Sequence, residues 1–346
     1  MQARPETLAY MALINPTRQG KPDAIGVVDL DPASKSYGRL VGQTDMPNTG
    51  DELHHFGWNA CSACLCPYAP HPHMERRYLI VPGINSSRIH ILDTKPDPRQ
   101  PKIVKVIEPE ELANRAGYAS PHTIHCGPDG IYVSALGAPG GDGPGGTFVK
   151  DLSSSIWLWY RDKKAGSNGN PGPWAVKKII EIPAEPADPE TLPPLLQGFK
   201  AVAPLVTDIN LSLDDKYLYV SCWGTGEFIQ YNVTDPFNPK KVSSVRLGGI
   251  ISRAAHPAAP DQPLNGGPQM VEISRDGKRV YFTNGLYTPW DEQFYPDGVR
   301  GWVAKLDVGA NGMTIDKKFF LQTDGMRTHQ LRLEGGDASS DSYCYA

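Results

Sequence analysis

Apolar and polar positions alternate along most of the chain in short runs, cut at close intervals by glycine, proline and acidic residues. A period of two over about four to eight residues predicts strands with one buried face. The 3.6-residue period of a helix is hard to find, and its best candidate is the short segment EPEELANRAG at 108–117. The predicted class is therefore all-β.

Two phrases recur along the chain. LSLDDKYLYVSCW at 211–223 and ISRDGKRVYFTNG at 273–285 each set a tight polar turn before an alternating strand, with a shorter echo in CGPDGIYVSA at 126–135. The second phrase is an apolar strand that runs into an acidic or amide residue, at Asp29, Asp93, Asn232 and Asp307. Their separations of 64, 139 and 75 residues, with room for a degenerate unit near SSSIWLWYRDKK, give about five units. Each unit exceeds the roughly 40–50 residues of a compact propeller blade, so insertions are expected at blade edges. The predicted architecture is a single β-propeller domain over residues 1–346, ahead of a two-sheet sandwich, because no linker divides the chain.

Composition narrows the function classes. Lys and Arg number 34 against 38 Asp and Glu, a formal charge of -4, and no basic run is present to track a phosphate backbone. Nucleic acid is thus not an expected partner. Apolar runs such as LYVSCW are strand-sized, far short of the roughly 20 residues that cross a bilayer as a helix. The start MQARPETLAYMALINPTRQG lacks a charged segment followed by an apolar core, so a soluble, cytoplasmic protein is expected, with a periplasmic location left open.

Candidate chemistry concentrates in the first half, where seven of nine histidines lie between His54 and His125. The stretch Asp51-Glu52-Leu53-His54-His55-Phe56-Gly57-Trp58-Asn59-Ala60-Cys61-Ser62-Ala63-Cys64 joins two carboxylates, two imidazoles and a Cys-x-x-Cys pair. Imidazole and thiolate suit zinc, copper, iron or nickel. A lone Cys-x-x-Cys is half of a four-cysteine zinc site, so redox or soft-ligand chemistry fits it better. The plainer alternative is a set of buried thiols and loop histidines satisfied by the backbone. A second cluster, Ser120-Pro121-His122-Thr123-Ile124-His125-Cys126, puts His122, Ile124 and Cys126 on one face of an extended strand and His125 on the other. Only a bend would turn both histidines to one ion. Pro121 makes such an irregularity plausible, and a histidine bonded to a neighbouring blade is the competing reading. His329 stands alone near the end of the chain, yet a circular fold would return it beside the first blade. The run Gly140-Gly141-Asp142-Gly143-Pro144-Gly145-Gly146 lacks the lysine and following helix of a phosphate loop, and His71 and His73 read as solvated loop residues.

At these residues the chain resembles the selenium-binding protein and methanethiol oxidase family, in its bacterial branch. The matching phrases are DELHHFGWNACSAC, ERRYLIVPGINSSRIHILDTKPDPR, PHTIHCGPDG, LSLDDKYLYVSCWGTGEFIQYNVTDP, GGPQMVEISRDGKRVYFTNGLYTPWDEQFYPD and HQLRLEGGDASSDSYCYA. The resemblance implies a seven-bladed propeller and, in the oxidase branch, copper-dependent conversion of methanethiol with oxygen and water to formaldehyde, hydrogen sulfide and hydrogen peroxide. By motif it carries metal ligation onto His54, His55, His122 or His125, and His329. It carries selenium or thiol reactivity onto Cys61, with Cys64 beside it, and catalytic roles onto Cys61 and His55. Non-catalytic capture of a selenium species at Cys61 is the alternative function.

One departure is large. Where the family continues after GGTF with a long Trp- and His-rich stretch, Phe148 here runs through Val149 and Lys150 straight into Asp151. A deletion junction at 148–151 would remove up to two blades, in agreement with five readable units. Such a ring is expected to close smaller, to stay open with strand edges that invite self-association, or to be inactive.

Overall fold

The computed structural model describes residues 5–60, 75–127, 130–138, 152–162 and 172–334. Their regular structure is mostly antiparallel strand, with a few short helices. In chain order the strands are β1 (Leu8–Ile14), β2 (Ala24–Asp29), β3 (Leu40–Asp45), β4 (Gly57–Trp58), β5 (Tyr78–Pro82), β6 (Ile89–Asp93) and β7 (Lys102–Ile107). Helix α1 (Pro109–Ala116) follows, then β8 (Ala119–Gly127), β9 (Gly130–Gly137), β10 (Ser154–Arg161) and β11 (Trp174–Ile182). Short β12 (Glu185–Pro186), α2 (Pro194–Gln197) and β13 (Ala201–Val202) lead to β14 (Val206–Leu211), β15 (Tyr217–Cys222), β16 (Glu227–Asn232) and β17 (Lys240–Arg246). The last elements are β18 (Val271–Ile273), β19 (Arg279–Thr283), α3 (Thr288–Phe294), β20 (Trp302–Gly309), β21 (Gly312–Gln322) and β22 (Arg327–Leu333). No helix among the described residues is long and apolar enough to cross a membrane.

Four four-stranded sheets result, in the orders β22-β1-β2-β3, β4-β5-β6-β7, β14-β15-β16-β17 and β18-β19-β20-β21. The two sequence phrases occupy fixed places in them. Asp29, Asp93, Asn232 and Asp307 all lie at or near the end of a third strand, while the turn phrases feed second strands. Turn residues Asp214 and Asp276 accept from Ser212 and Ser274 at 2.7 Å each, the same local bond in two units. The same carboxylates accept from the Lys216 and Lys278 N–H groups at 3.3 and 3.0 Å, closing Asx turns that set the hairpin register and so fix which face of each strand is buried.

The sheets bury their apolar faces against one another in succession. Tyr10, Ile25 and Val27 meet Phe56, Trp58 and Leu79 between the first two sheets, and Tyr219 and Phe228 meet Phe282 and Trp302 between the last two. Met11 and Val28 meet Phe319 and Leu331 where the end of the chain returns to its beginning. That closure is a main-chain one, since β22 pairs with β1 from Ala9–Leu333 to Ile14–Arg327.

The remaining strands form two separate hairpin ladders, β8–β9 and β10–β11, and a short two-residue ladder, β12–β13. Ile124 of the first packs on Ile80 and Ile89, and Ile156, Ile180 and Ile182 of the second pack on Leu218 and Val220. Their other surfaces are open. Tyr132 and Leu136 on β9, and Trp157, Trp159 and Trp174 on β10 and β11, are each more than half exposed. The sequence expectation of about five units thus meets four full sheets and two half-sheets, and residues 148–151, where the deletion junction was expected, lie outside the described residues.

Candidate metal centre

The segment 51–56 carries the first two histidines between two strands. Leu53 bridges Gly83, and His55 bridges Thr123 of β8. The His55 N–H donates to the His122 carbonyl at 3.1 Å, and the Ile124 N–H donates to the His55 carbonyl at 2.9 Å. Adjacent residues of an extended strand point to opposite sides. Here the Phe56 N–H donates back to the His54 carbonyl at 2.8 Å, a tight turn centred on His55. The turn brings both rings to one side, stacked at 4.3 Å. Gly57 permits the approach, because a Cβ there would lie 2.7 Å from the Ile124 carbonyl oxygen.

His122 comes from an irregularity in β8, where the ladder to β9 shifts between Pro121 and Ile124. Its ring lies 4.4 Å from that of His54 and 4.7 Å from that of His55. The two Nε2 atoms of His54 and His122 are 3.0 Å apart. His329, from the middle of β22, completes the group at 4.2 Å from His54 and 4.9 Å from His55, ring to ring. The ligating nitrogens of His54, His55 and His122 all fall within 4.8 Å of one another. His54 and His329 are buried; His55 and His122 are half-buried.

Hydrogen bonds to the outer nitrogens decide which nitrogen is free. His329 Nδ1 lies 2.9 Å from the Gly285 carbonyl oxygen, which can only accept. The proton therefore sits on Nδ1 and the lone pair on Nε2, an atom shielded from solvent and without a hydrogen-bond partner. Thr123 Oγ1 stands 3.2 Å from His55 Nδ1 and 2.7 Å from His122 Nδ1. Its two lone pairs can accept from both rings at once, which would leave both Nε2 atoms free, and His55 Nε2 is likewise shielded and unpartnered. Thr123 was not among the residues singled out from sequence, and only its place between two histidines hinted at it.

Electrostatics holds the group neutral. Burial first, then the neighbouring imidazoles, push His54 and His55 well below the usual histidine range. Burial also lowers His122, and lowers His329 to about 4. Neutral imidazoles are metal ligands and protonated ones are not. Because the folded values lie below the unfolded value of roughly 6.5, the unfolded chain takes up more protons below that pH, so stability falls as pH drops from 6.5 toward 4. Each histidine held neutral contributes a slope of about 1.4 kcal/mol per pH unit in that window. The urea midpoint of metal-free protein is expected to drop steeply between pH 6.5 and 4.5, and a flat profile there would contradict the burial of these rings.

The carboxylates of the cluster do other work. Asp51 faces His90 at 3.6 Å and Arg88 at 3.5 Å. Glu52, held at a positive φ of 53°, accepts from Thr288 N at 2.9 Å, Thr288 Oγ1 at 2.6 Å and Arg327 Nη2 at 2.6 Å. Arg327 also donates to Asp291 at 2.6 Å, and all three charged groups are buried. This network fixes the residues two places before His54 and two before His329.

His125 is placed elsewhere. It lines a second, polar cavity of about 150 Å³ with Thr123, Asp208, Asn210, Gln330 and Arg332, on the far side of His55. Cys61 and Cys64 lie outside the described residues. The histidine group itself floors a cavity of about 490 Å³ whose walls are Ile84, Leu136, Leu205, Val206, Leu286 and Trp290, with Thr207, Gln269 and Tyr287 as its other polar members. None of its lining residues among those described carries a fixed charge.

An all-β chain of repeated antiparallel sheets, with buried histidines from both chain ends gathered at an apolar cavity, defines a candidate metalloprotein built on a repeat scaffold. The chain belongs to the 56kDa selenium binding protein family, whose profile matches it in two pieces, residues 1–152 and 147–344. Among curated relatives, a methanethiol oxidase of Xenopus laevis is 30% identical, over 99% of this chain and 96% of the relative. Selenium-binding protein 3 of Arabidopsis thaliana is 31% identical over 97% and 93%. The crystal structure of a hypothetical selenium-binding protein from Sulfolobus tokodaii is 43% identical with a TM-score of 0.90, covering 100% of this chain and 97% of that one. The Xenopus alignment spans 470 positions against the 346 residues here, so at least 124 of its positions have no residue in this chain.

Proposed function

We propose that this chain is a copper-dependent thiol oxidase that converts methanethiol, oxygen and water to formaldehyde, hydrogen sulfide and hydrogen peroxide, on a scaffold whose sheets are blades of an interrupted propeller. The observation that carries the reading is the group of four imidazoles held neutral, two of them with shielded, unpartnered Nε2 atoms, at the floor of an uncharged cavity. The methanethiol oxidase names of relatives support oxidation of a small thiol as the reaction class. The donor set fits copper: all nitrogen, neutral at pH 7, and backed by Thr123 and Gly285 as outer partners. The 3.0 Å separation of the His54 and His122 Nε2 atoms is about that of adjacent ligands on one ion at roughly 2.0–2.1 Å.

His54, His55, His122 and His329 would hold the ion, which supplies the one-electron steps needed for a thiol to react with triplet oxygen and which redox-silent zinc cannot provide. The chain's own contribution is placement and exclusion. Leu205, Val206, Leu286 and Trp290 accept the apolar end of the thiol, and the uncharged wall disfavours cysteine and glutathione, whose charges would be desolvated without partners. Protein loaded with one equivalent of copper and given methanethiol in an oxygen electrode is expected to release peroxide and sulfide in equal amounts. A loaded protein that consumes no oxygen beyond free copper ends this reading.

The relatives named for selenium binding favour a second reading, covalent capture of a selenium species at Cys61. Selenite labelling that disappears in Cys61→Ser, from protein that takes up no copper, would support that reading over the oxidase.

A further inference from the structure

Two polar groups of the cavity have no role in holding the histidines. Gln269 is 2% exposed, and its Oε1, shielded from solvent, has no hydrogen-bond partner. Thr207 Oγ1 is in the same condition, and both residues line the cavity floored by the histidines. Their positions are built by the fold. Thr207 is the extra residue of a bulge, since Val206 pairs with Cys222 and Asp208 with Ser221, and Leu205, two residues earlier, is held at a positive φ of 49°. The backbone N–H of Gln269 donates to the Thr283 carbonyl at 2.8 Å. The Asp208 carboxylate accepts from the Val271 N–H at 2.7 Å, tying together the two segments that carry the pair.

Buried polar atoms without protein partners are where proteins hold ordered water, which typically makes about three hydrogen bonds there. Thr207 also lines the polar cavity that contains His125, Asp208 and Arg332, so it stands at the boundary between a polar chamber and the apolar one. An amide oxygen can only accept, so a water beside Gln269 donates to it and turns a lone pair elsewhere.

We propose that Gln269 Oε1 and Thr207 Oγ1 hold the water molecule that cleaves the carbon–sulfur bond, an inference that rests on the thiol oxidase reading. Oxidation of methanethiol removes two electrons and two protons, which pass to oxygen as hydrogen peroxide and leave thioformaldehyde. The held water adds through its oxygen to that carbon. A carbon–oxygen bond forms, the carbon–sulfur π pair moves to sulfur, and the water's proton follows it, giving hydroxymethanethiol. The hydroxyl proton then passes to sulfur as the carbon–sulfur bond breaks, releasing formaldehyde and hydrogen sulfide. Without an oriented water, thioformaldehyde is left to the excess thiol.

The test uses Gln269→Met and Thr207→Val in copper-loaded protein, with peroxide and sulfide measured in the same reaction, together with a high-resolution crystal structure of the metal-free wild type. Peroxide formation is expected to stay within about twofold of wild type while sulfide release falls about tenfold or more, because loss of orientation acts on the hydrolytic half alone. A merely structural role would lower both products in step. The crystal structure is expected to show one ordered water bound to Gln269 Oε1 and Thr207 Oγ1. Peroxide and sulfide falling together in both variants, or no water at these oxygens, overturns the proposal. A wild type that makes no peroxide ends the oxidase reading and the hydrolytic role with it, and the crystallographic water then decides the binding site alone.

Discussion

His329→Ala is expected to abolish stoichiometric copper binding, with a loss of affinity well beyond the roughly 10–100-fold typical of removing an outer partner, and oxygen uptake is expected to go with it. The reasoning is geometric. His329 contributes the one imidazole of the group whose tautomer is settled by a carbonyl oxygen, so its Nε2 lone pair is available without reorganisation. It also stacks on both His54 and His55 and arrives from the opposite end of the chain. Removing it leaves a cavity in a buried wall, at a cost of about 2–3 kcal/mol. The same change removes a shielded nitrogen that has no partner in the metal-free protein, which offsets part of that cost. The metal-free variant should therefore unfold at a moderately lower urea concentration than wild type, while copper should raise only the wild-type midpoint. His125→Ala, on the far side of His55, is expected to leave copper content unchanged. Elemental analysis of both variants decides the matter, and one equivalent of copper retained by His329→Ala would remove that residue from the site.

Much of the scaffold was legible because its signals are local. An Asx turn followed by an alternating strand, and an acidic or amide end to a third strand, are set within a dozen residues, so LSLDDKYLYVSCW and ISRDGKRVYFTNG fall on equivalent second strands. The helix at 108–117 appears as Pro109–Ala116, stopped by Gly117 in the left-handed region at φ 74°. The histidine group was legible as composition more than as geometry. His122 and His125 differ by three positions in one motif, so strand alternation separates them, but which of the two joins His54 and which enters the polar cavity is set by how β8 packs, a tertiary property. Gln269, Thr207 and Thr123 carry no sequence signal of their own, since lone amides and hydroxyls are common in strands and become informative only when burial removes their partners. The two half-sheets show the converse: β8, β9 and β10 fall on segments the sequence marks, whereas β11 carries no phrase of the repeat, and that β9 and β10 share no ladder is recorded by no local pattern.

Arg327→Met is expected to destabilise the protein by about 3–5 kcal/mol and to weaken copper binding although the side chain is not one of the proposed ligands. The guanidinium is 1% exposed and bridges two buried carboxylates, to Glu52 and Asp291 at 2.6 Å each, with Thr288 Oγ1 as a further acceptor. Removing it leaves two carboxyl groups in a dry site. Asp291, already raised to about 6 by burial, would take a proton and become neutral. Glu52 is lowered by the Arg327 charge and its bonds to Thr288, so it loses more. Glu52 also holds a left-handed backbone that a side chain of its kind adopts only when its surroundings impose it. Once released, residues 52–55 can relax, and the tight turn that turns His54 and His55 to one side loses its anchor. Lysine is no substitute, because a single ammonium cannot reproduce the fork that spans both acids. The double variant Arg327→Met/Asp291→Asn, which removes the cost of protonating Asp291 in the fold, should recover part of the stability but not the copper affinity, since Glu52 stays unanchored. If urea unfolding of Arg327→Met matches wild type, or if stability falls while copper affinity is unmoved, the buried network does not position the histidines.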